Sequence, residues 1–335
     1  VEWIEIFDNT VRAGVSRDAA VFAIAAMGLN VHFGFTGLLN FGQVGFMAMG
    51  AYGVGIGITY YGWHPVTALI IGVLACVALA LVLGLPALRL RADYLAIVTI
   101  AASEIIRTVM RSVSLRDYSG GSNGINGFAG GFYYFNPFDP QHEYGFSIGS
   151  FDFKFFGNQL WIILIGWSIV ALVTLIVWAL MRAPWGRVIR SIREDEDAAR
   201  ALGKNAYGYK VQSLIIGGVI GGIAGMVLSI GTQTVQPDAY SPPITFFLYT
   251  ALILGGLGRV WTPIVGSIVF WMLLALTDNF LRQAVDNSFL GIDSIMDGVQ
   301  VGQVRFMLVG LGLALLMIFR PQGLFGNKQE MALEL

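Results

Sequence analysis

From residue 19 to residue 319 the sequence alternates long apolar runs with shorter polar breaks. A helix needs about 20 mostly apolar residues to cross a bilayer, and inside lipid it must satisfy its own backbone polar groups. The runs lie near 19–35, 41–61, 66–88, 94–113, 160–181, 211–231, 245–257, 263–281 and 304–319. They predict an all-α polytopic membrane protein with about nine transmembrane or re-entrant helices. The second and seventh runs are interrupted by glycine or short, which suits broken or re-entrant helices. Only 12% of the 335 residues are charged, against about 25% in a soluble domain. The 43 glycines fit helices that pack closely in a membrane.

Lys and Arg in short loops mark the cytoplasmic side. Arg89 and Arg91, the segment 182–210, Arg259 and the tail 320–335 with Arg320 and Lys328 all fall on one side. The opposite loops, 114–158, 232–244 and 282–302, hold Asp117, Asp139, Glu143, Asp152, Asp238, Asp286, Asp293 and Asp297 with few bases. The N-terminus is then external, provided that 41–61 crosses fully. Residues 1–18 mix Trp3, Ile4, Ile6 and Phe7 with Glu2, Glu5, Asp8 and Arg12, which suits an interfacial helix or a polar lead-in. No cleavable signal peptide is readable, and a start at Val1 rather than Met leads us to expect residues upstream.

Several function classes drop out. A net charge of -1 gives no reason to expect nucleic acid as a partner. The single Cys76 excludes an internal disulfide and a cysteine metal cluster. His32, His64 and His142 stand far apart, so no metal site is readable. No G-x4-G-K-[ST] occurs; Gly203-Lys204 is followed by Asn205 and lacks the earlier glycine. Serine-hydrolase and zinc-protease signatures are missing as well. The chain reads as a transport subunit without its own cofactor.

The most charged passage runs from Arg182 to Gly203 and contains Arg187, Arg190, Arg193 and the four acids 194–197. Its centre, Asp197-Ala198-Ala199-x-x-x-Gly203, follows Glu194. Read as a helix from about Glu194, it brings Ala198, Ala201 and Leu202 together as a small apolar face. Ala198 and Ala199 let a partner surface approach, and Gly203 suits a left-handed helix end. Such a knob on the cytoplasmic face is a handle for a soluble partner. A juxtamembrane loop on anionic lipid is the other reading, but it needs no run of acids.

Other candidates line a possible substrate path. Asn40 and Gln43 sit among Gly37, Gly42 and Gly45, where a half-helix could present free N–H groups to a carboxylate; helix packing is the alternative. Glu104 and Arg107, at i and i+3, can neutralise one another or hold a zwitterion, and Arg111 can snorkel outward. The stretch Ser119-Gly-Gly-Ser-Asn123-Gly opens a long outer loop that could gate the mouth, receive a binding protein or form an anion nest. Asp238 and Pro242-Pro243 read as loop punctuation. Gly217, Gly221 and Gly225 with Gly218 and Gly222 lay packing stripes along one helix, and Gly53 and Gly57 do so on another. His32 and His64 read as hydrogen-bonded packing residues.

Taken in order, Phe41-Gly-Gln43, Gly50-Ala-Tyr52, Tyr94–Ile100 leading to Glu104 and Arg107, Ser119-Gly-Gly, the charged passage, Gly255-Gly-Leu-Gly258 before Pro263, and Arg320-Pro-Gln-Gly-Leu-Phe-Gly326 resemble one family. It comprises the LivM-type permeases of branched-chain amino acid ABC importers, and the resemblance covers nearly all of the chain. Ser119 replaces the family's usual Thr. The resemblance implies a second homologous permease subunit, two cytoplasmic ABC ATPases that carry ATP and Mg, and an extracytoplasmic substrate-binding protein. It also implies a multi-pass place in the bacterial plasma (inner) membrane, with residues 187–203 as the coupling helix. Asn40, Gln43, Glu104, Arg107, Ser119 and Asn123 are then candidates for the substrate pathway. Urea and short-amide permeases share most of the pattern. An ion-coupled secondary transporter is the other alternative, although only Glu104 offers the mid-span carboxylate it would want.

Overall fold

The computed structural model describes residues 3–88, 92–148, 151–286, 298–319 and 323–325. The orienting charges Arg89, Arg91, Arg320, Lys328, Asp293 and Asp297, and Pro321, Gln322 and Gly326 of the C-terminal motif, lie outside the described residues.

All nine apolar runs are helical, in α2 (Arg17–Leu29, prolonged by a π-helical turn Asn30–Phe35), α3 (Gln43–Thr59), α4 (Pro65–Ala87), α5 (Ala92–Arg111), α8 (Gly157–Arg182), α11 (Ala206–Thr232), α12 (Pro242–Gly255), α13 (Thr262–Asp286) and α14 (Gly298–Phe319). Helix α1 (Trp3–Val15) precedes them, and α6 (Arg116–Ser119), α7 (Gly130–Tyr133), α9 (Pro184–Glu194) and α10 (Glu196–Ala201) lie in the connections. Among the described residues, α2 with its π turn, α4, α8, α11 and α13 are long and apolar enough to cross a membrane. At 14 residues α12 falls short of a full crossing. Helix α5 is long enough but carries Glu104 and Arg107 in its second half.

Proline and polar caps set the boundaries. Ser16 caps α2 by accepting from the Ala19 N–H, and His64 caps α4 with Pro65 in its first turn. The helix predicted from residue 211 begins five residues earlier, at Ala206, because the Asn205 side chain accepts from the Gly208 N–H. The first turn of this apolar helix is therefore part of the charged passage.

The core is built around α11, which packs on α2, α3 and α4. Its glycine stripe permits this contact. A Cβ at Gly217 would collide with His32 and the Gly28 carbonyl, one at Gly222 with Cys76, and one at Gly225 with the Met47 carbonyl. Gly53 and Gly72 make the equivalent approach between α3 and α4. Helices α4 and α8 keep most of their apolar surface outward, including Ile70, Leu74, Leu172 and Leu175.

The two ends of the bundle agree with the charge pattern. At one end the loops meet through strands β1 (Ile125–Asn126) and β4 (Thr234–Val235), with the hairpin β2 (Glu143–Ile148) and β3 (Phe151–Phe156) beside them. Arg12 donates to the Lys154 carbonyl of that hairpin, so α1 reaches the predicted outer side. Trp3, Ile4 and Phe7 are exposed on α1 while Ile6 and Thr10 are buried, an arrangement that suits an interfacial helix. At the other end Asn30 bonds the Arg259 carbonyl, Arg193 bonds the Gly34 carbonyl, and Leu324 and Phe325 bond the end of α12.

Gly225→Leu is expected to overpack α11 against α3 by about 1–3 kcal/mol and lower the yield and thermal midpoint of the purified permease. Gly310→Leu, where an added Cβ meets nothing within 4 Å, is expected to leave both unchanged. Size-exclusion profiles and melting curves check this pair.

Candidate functional site

The charged passage forms two helices where one was predicted from Glu194. Helix α9 ends at Glu194, the backbone turns extended at Asp195, and the Asp195 side chain caps α10 by accepting from the Ala198 N–H at 2.9 Å. A short polar residue with two helix formers on either side makes this break. Helix α10 closes as expected at Gly203, whose φ is +76°. The Gly203 N–H bonds the Arg200 carbonyl and the Lys204 N–H reaches back to Ala199, a Schellman ending.

The two helices divide the sequence candidates. Helix α9 buries Gly186, Ile189 and Ile192 against the bundle. Arg190 lies over the Phe35 ring and Arg193 holds the π turn, while Arg187 and Glu194 face out. On α10, Ala198, Ala201 and Leu202 are exposed, and Leu202 is 80% accessible. Ala199 points the other way and packs with Ile192 and Ala206. Its small size serves the internal contact, so the predicted role of Ala199 in admitting a partner passes to Ala198. Glu196 pairs with Arg200 within α10 (2.6 Å) and ties the helix down through Lys210 near the start of α11. Asp197 stays open, with 94% of its side chain exposed.

At the break between α2 and α3, Asn40 and Gln43 are wholly buried. The Asn40 amide donates to His32 Nδ1 and Gln43 Oε1, both at 3.1 Å. Its carbonyl oxygen accepts from the Gly42 N–H at 2.9 Å. The Gln43 amide donates to the carbonyls of Gly217 and Ala25. His32 Nε2 lies 3.2 Å from the Leu214 carbonyl, which assigns the ring proton to Nε2 and leaves Nδ1 as acceptor. Tyr249 on α12 bonds both backbone groups of Asn40, while Thr99 and Thr245 take the Phe41 and Val44 N–H groups. The predicted free N–H groups at this half-helix are thus occupied by side chains. Asn40 and Gln43 form a closed lock between α2, α3, α11 and α12.

Glu104 and Arg107 do pair, with Nε to Oε2 at 2.9 Å. Arg107 also reaches Asp238 at 2.7 Å, and Arg111 lies 3.4 Å from the same carboxylate instead of snorkelling alone. Asp238 sits in the 3-10 turn Pro237–Tyr240, so it is a tether between two outer segments rather than loop punctuation. Burial holds the neighbouring Tyr240 phenol well above its ordinary range and neutral, so Asp238 supplies the charge of this turn. An acid two residues from a buried aromatic in an outer loop was the available signal. On its solvent side α5 leaves Glu104 41% exposed in company with Ile97, Ile105 and Thr108.

Ser119 is buried and donates to the Met110 and Leu115 carbonyls, stapling the outer loop to the end of α5. Gly120, Gly121 and Gly124 take positive φ, but their N–H groups are bonded to Arg116, Ser119 and Gly121, which leaves no anion nest. Asn123 is exposed beside this turn, and its carbonyl accepts from Asn126.

Asn40→Ala strips three bonds from buried partners and is expected to cost about 1–3 kcal/mol, read as a lower thermal midpoint. Asn123→Ala is expected to leave the midpoint in place.

A family model described as "Branched-chain amino acid transport system / permease component" matches residues 12–299. The chain is 32% identical over 312 residues to the high-affinity branched-chain amino acid transport system permease protein LivM of Escherichia coli (strain K12), covering 91% of this chain and 67% of the relative. It is 31% identical over 312 residues to the protein of the same name from Salmonella typhimurium, with the same coverage. With its helical bundle and apolar outer faces, the chain is a multi-pass membrane transport subunit rather than an enzyme, and it belongs to the family of permease components of branched-chain amino acid transport systems.

Proposed function

We propose that this chain forms one half of an ATP-driven import pathway for branched-chain or other hydrophobic amino acids in a plasma (inner) membrane. A second homologous permease subunit supplies the other half, and a cytoplasmic ATPase docks on each coupling segment. The ATPases carry ATP and Mg. An extracytoplasmic binding protein delivers substrate to the outer loops.

The exposed face Ala198, Ala201 and Leu202 carries this reading. Leu202 is 80% exposed on a knob that is otherwise pinned to the bundle. An apolar tip held rigid outside the membrane suits a groove in a soluble partner. Force on α10 reaches α11 through Glu196–Lys210, and it reaches the π turn through Arg193. From the π turn, His32 and Asn40 lead to α3 and α12. A π turn beside a locked helix break is an element that can shift as a unit.

The partner subunit and the pathway belong on the outward face of α5. A charge at the bilayer centre costs roughly 2.5–3.5 kcal/mol on insertion scales. Glu104 is too exposed in this chain alone to escape that cost if lipid covered it. Water and a second permease on this face remove the penalty, and the Glu104–Arg107 pair meets the zwitterion there. The buried lock residues Asn40, Gln43 and Ser119 act on the path by shaping it, and Asn123 lies at its outer mouth.

Leu202→Asp and Ala198→Arg are expected to abolish ATPase co-purification and lower leucine uptake at least tenfold in proteoliposomes, with the permease still inserted. Survival of both activities would remove α10 from the coupling role. Ala199→Arg is expected to lower the yield itself, because that side chain faces Ile192. Glu104→Gln is expected to reduce uptake at least fivefold at unchanged yield; wild-type uptake would take α5 out of the pathway. Uptake should be sensitive to vanadate, indifferent to uncoupler, and competed by isoleucine and valine but not by urea.

A further inference from the structure

A second pair of intramembrane charges lies on the other side of α12, away from α5. Arg305 of α14 sits 3.1 Å from Asp278 of α13, and Arg282 one turn along α13 holds the other Asp278 oxygen at 3.0 Å. The side chains of Asp278 and Arg305 are only 19% and 26% exposed. Asp278 and Arg305 border a partly open cavity of about 470 Å³ formed within this chain and walled by Phe22, Phe247, Phe270, Trp271, Leu274 and Phe306. Two buried donors at its wall, Arg305 Nε and Trp271 Nε1, have no hydrogen-bond acceptor among the described residues.

Asp18 closes the argument. It lines this cavity and also an outer one of about 630 Å³, bordered by Arg12, Arg17, Glu143 and Lys154 at the extracytoplasmic end. Both Arg17 bonds fall on Asp18 Oδ1, leaving Oδ2 without a donor among the described residues. The inner cavity therefore offers a base, two carboxylates and an aromatic wall within one amino-acid-sized space. Its volume lies in the range of small-molecule sites. A purely structural ion pair would clamp α13 to α14 without needing such a space beside it.

We propose that this cavity binds the zwitterion of an apolar α-amino acid inside the single permease chain. The ligand carboxylate lies against Arg305, the ammonium against Asp278 and Asp18, and the side chain among the phenylalanines. Each charge brought in then meets an opposite one already present, which offsets the desolvation that makes an isolated buried charge so costly. The site does not depend on where the pathway between subunits runs. Only the choice of leucine as probe rests on the substrate class proposed above.

The test is equilibrium binding of radiolabelled L-leucine to the purified, assembled permease without binding protein or ATP. Saturable binding is expected. Unlabelled leucine should displace it, whereas 3-methylbutylamine and 4-methylpentanoate, which each lack one of the two charges, should not. Arg305→Gln is expected to weaken binding at least tenfold. Ala275→Phe, which fills the cavity and keeps both charges, is expected to do the same at unchanged thermal midpoint. It carries the test if Arg305→Gln fails to assemble. Gly310→Leu, remote from the cavity, is expected to bind as the parent does. No saturable binding, binding that survives Ala275→Phe, or equal displacement by the singly charged analogues overturns the proposal. Transport by the intact system reads the substrate class separately, so loss of this site and loss of that class give different results.

Discussion

The close approach of α11 to α2 and α3 is the contact on which the rest of the structure depends. It exists because Gly217, Gly221, Gly222 and Gly225 leave no Cβ between the helices. Backbone carbonyls of one helix then come within reach of polar side chains on another, and Gln43 and His32 bond those of Gly217 and Leu214. In a bilayer the hydrophobic effect does not drive helices together, so such packing and buried hydrogen bonds must hold the bundle. The break at residues 36–42, which lipid would not tolerate, survives because Asn40 bonds His32, Gln43 and the Gly42 N–H, all of them buried protein groups.

The same helix joins the core to the charged knob. Helix α11 starts at Ala206, five residues after the end of α10 at Ala201, and Lys210 near its start holds Glu196. Arg193 meanwhile fastens the end of α9 to the π turn. The knob is therefore attached at two points to the elements that meet at the lock. Under the coupling role proposed above, a push on the exposed tip travels through these two attachments, where a loosely tethered loop would absorb it locally.

Charge placement follows one rule at both polar clusters of the outer half. Glu104–Arg107–Asp238 and Arg282–Asp278–Arg305 each combine acids and bases on two different elements. Opposite charges paired in this way cost less in a low dielectric than any single member would. They differ in surroundings. The first lies on an outward face and the second borders a partly open aromatic cavity.

Hydropathy and local chemistry were enough to read the nine helices and the helix end at Gly203, because those features depend on neighbours in sequence and on a solvent that is either water or lipid. The glycine stripes were legible for the same reason: a four-residue repeat declares a flat helix face. The break at Asp195 and the inward turn of Ala199 were not legible, since both Ala198 and Ala199 are small and only the packing of Ile192 and Ala206 selects between them. Asp238 reads in sequence as loop punctuation, and Asp278 and Arg305 carry no local signal there, because such partners are remote: Arg107 and Asp238 bond directly across 131 positions. Sequence alone determined which segments form apolar helices and how charge divides between their ends. Tertiary structure decided which polar residues are locked, tethered or left facing a cavity, because those partners come from distant segments whose relative rotation and depth no linear pattern records.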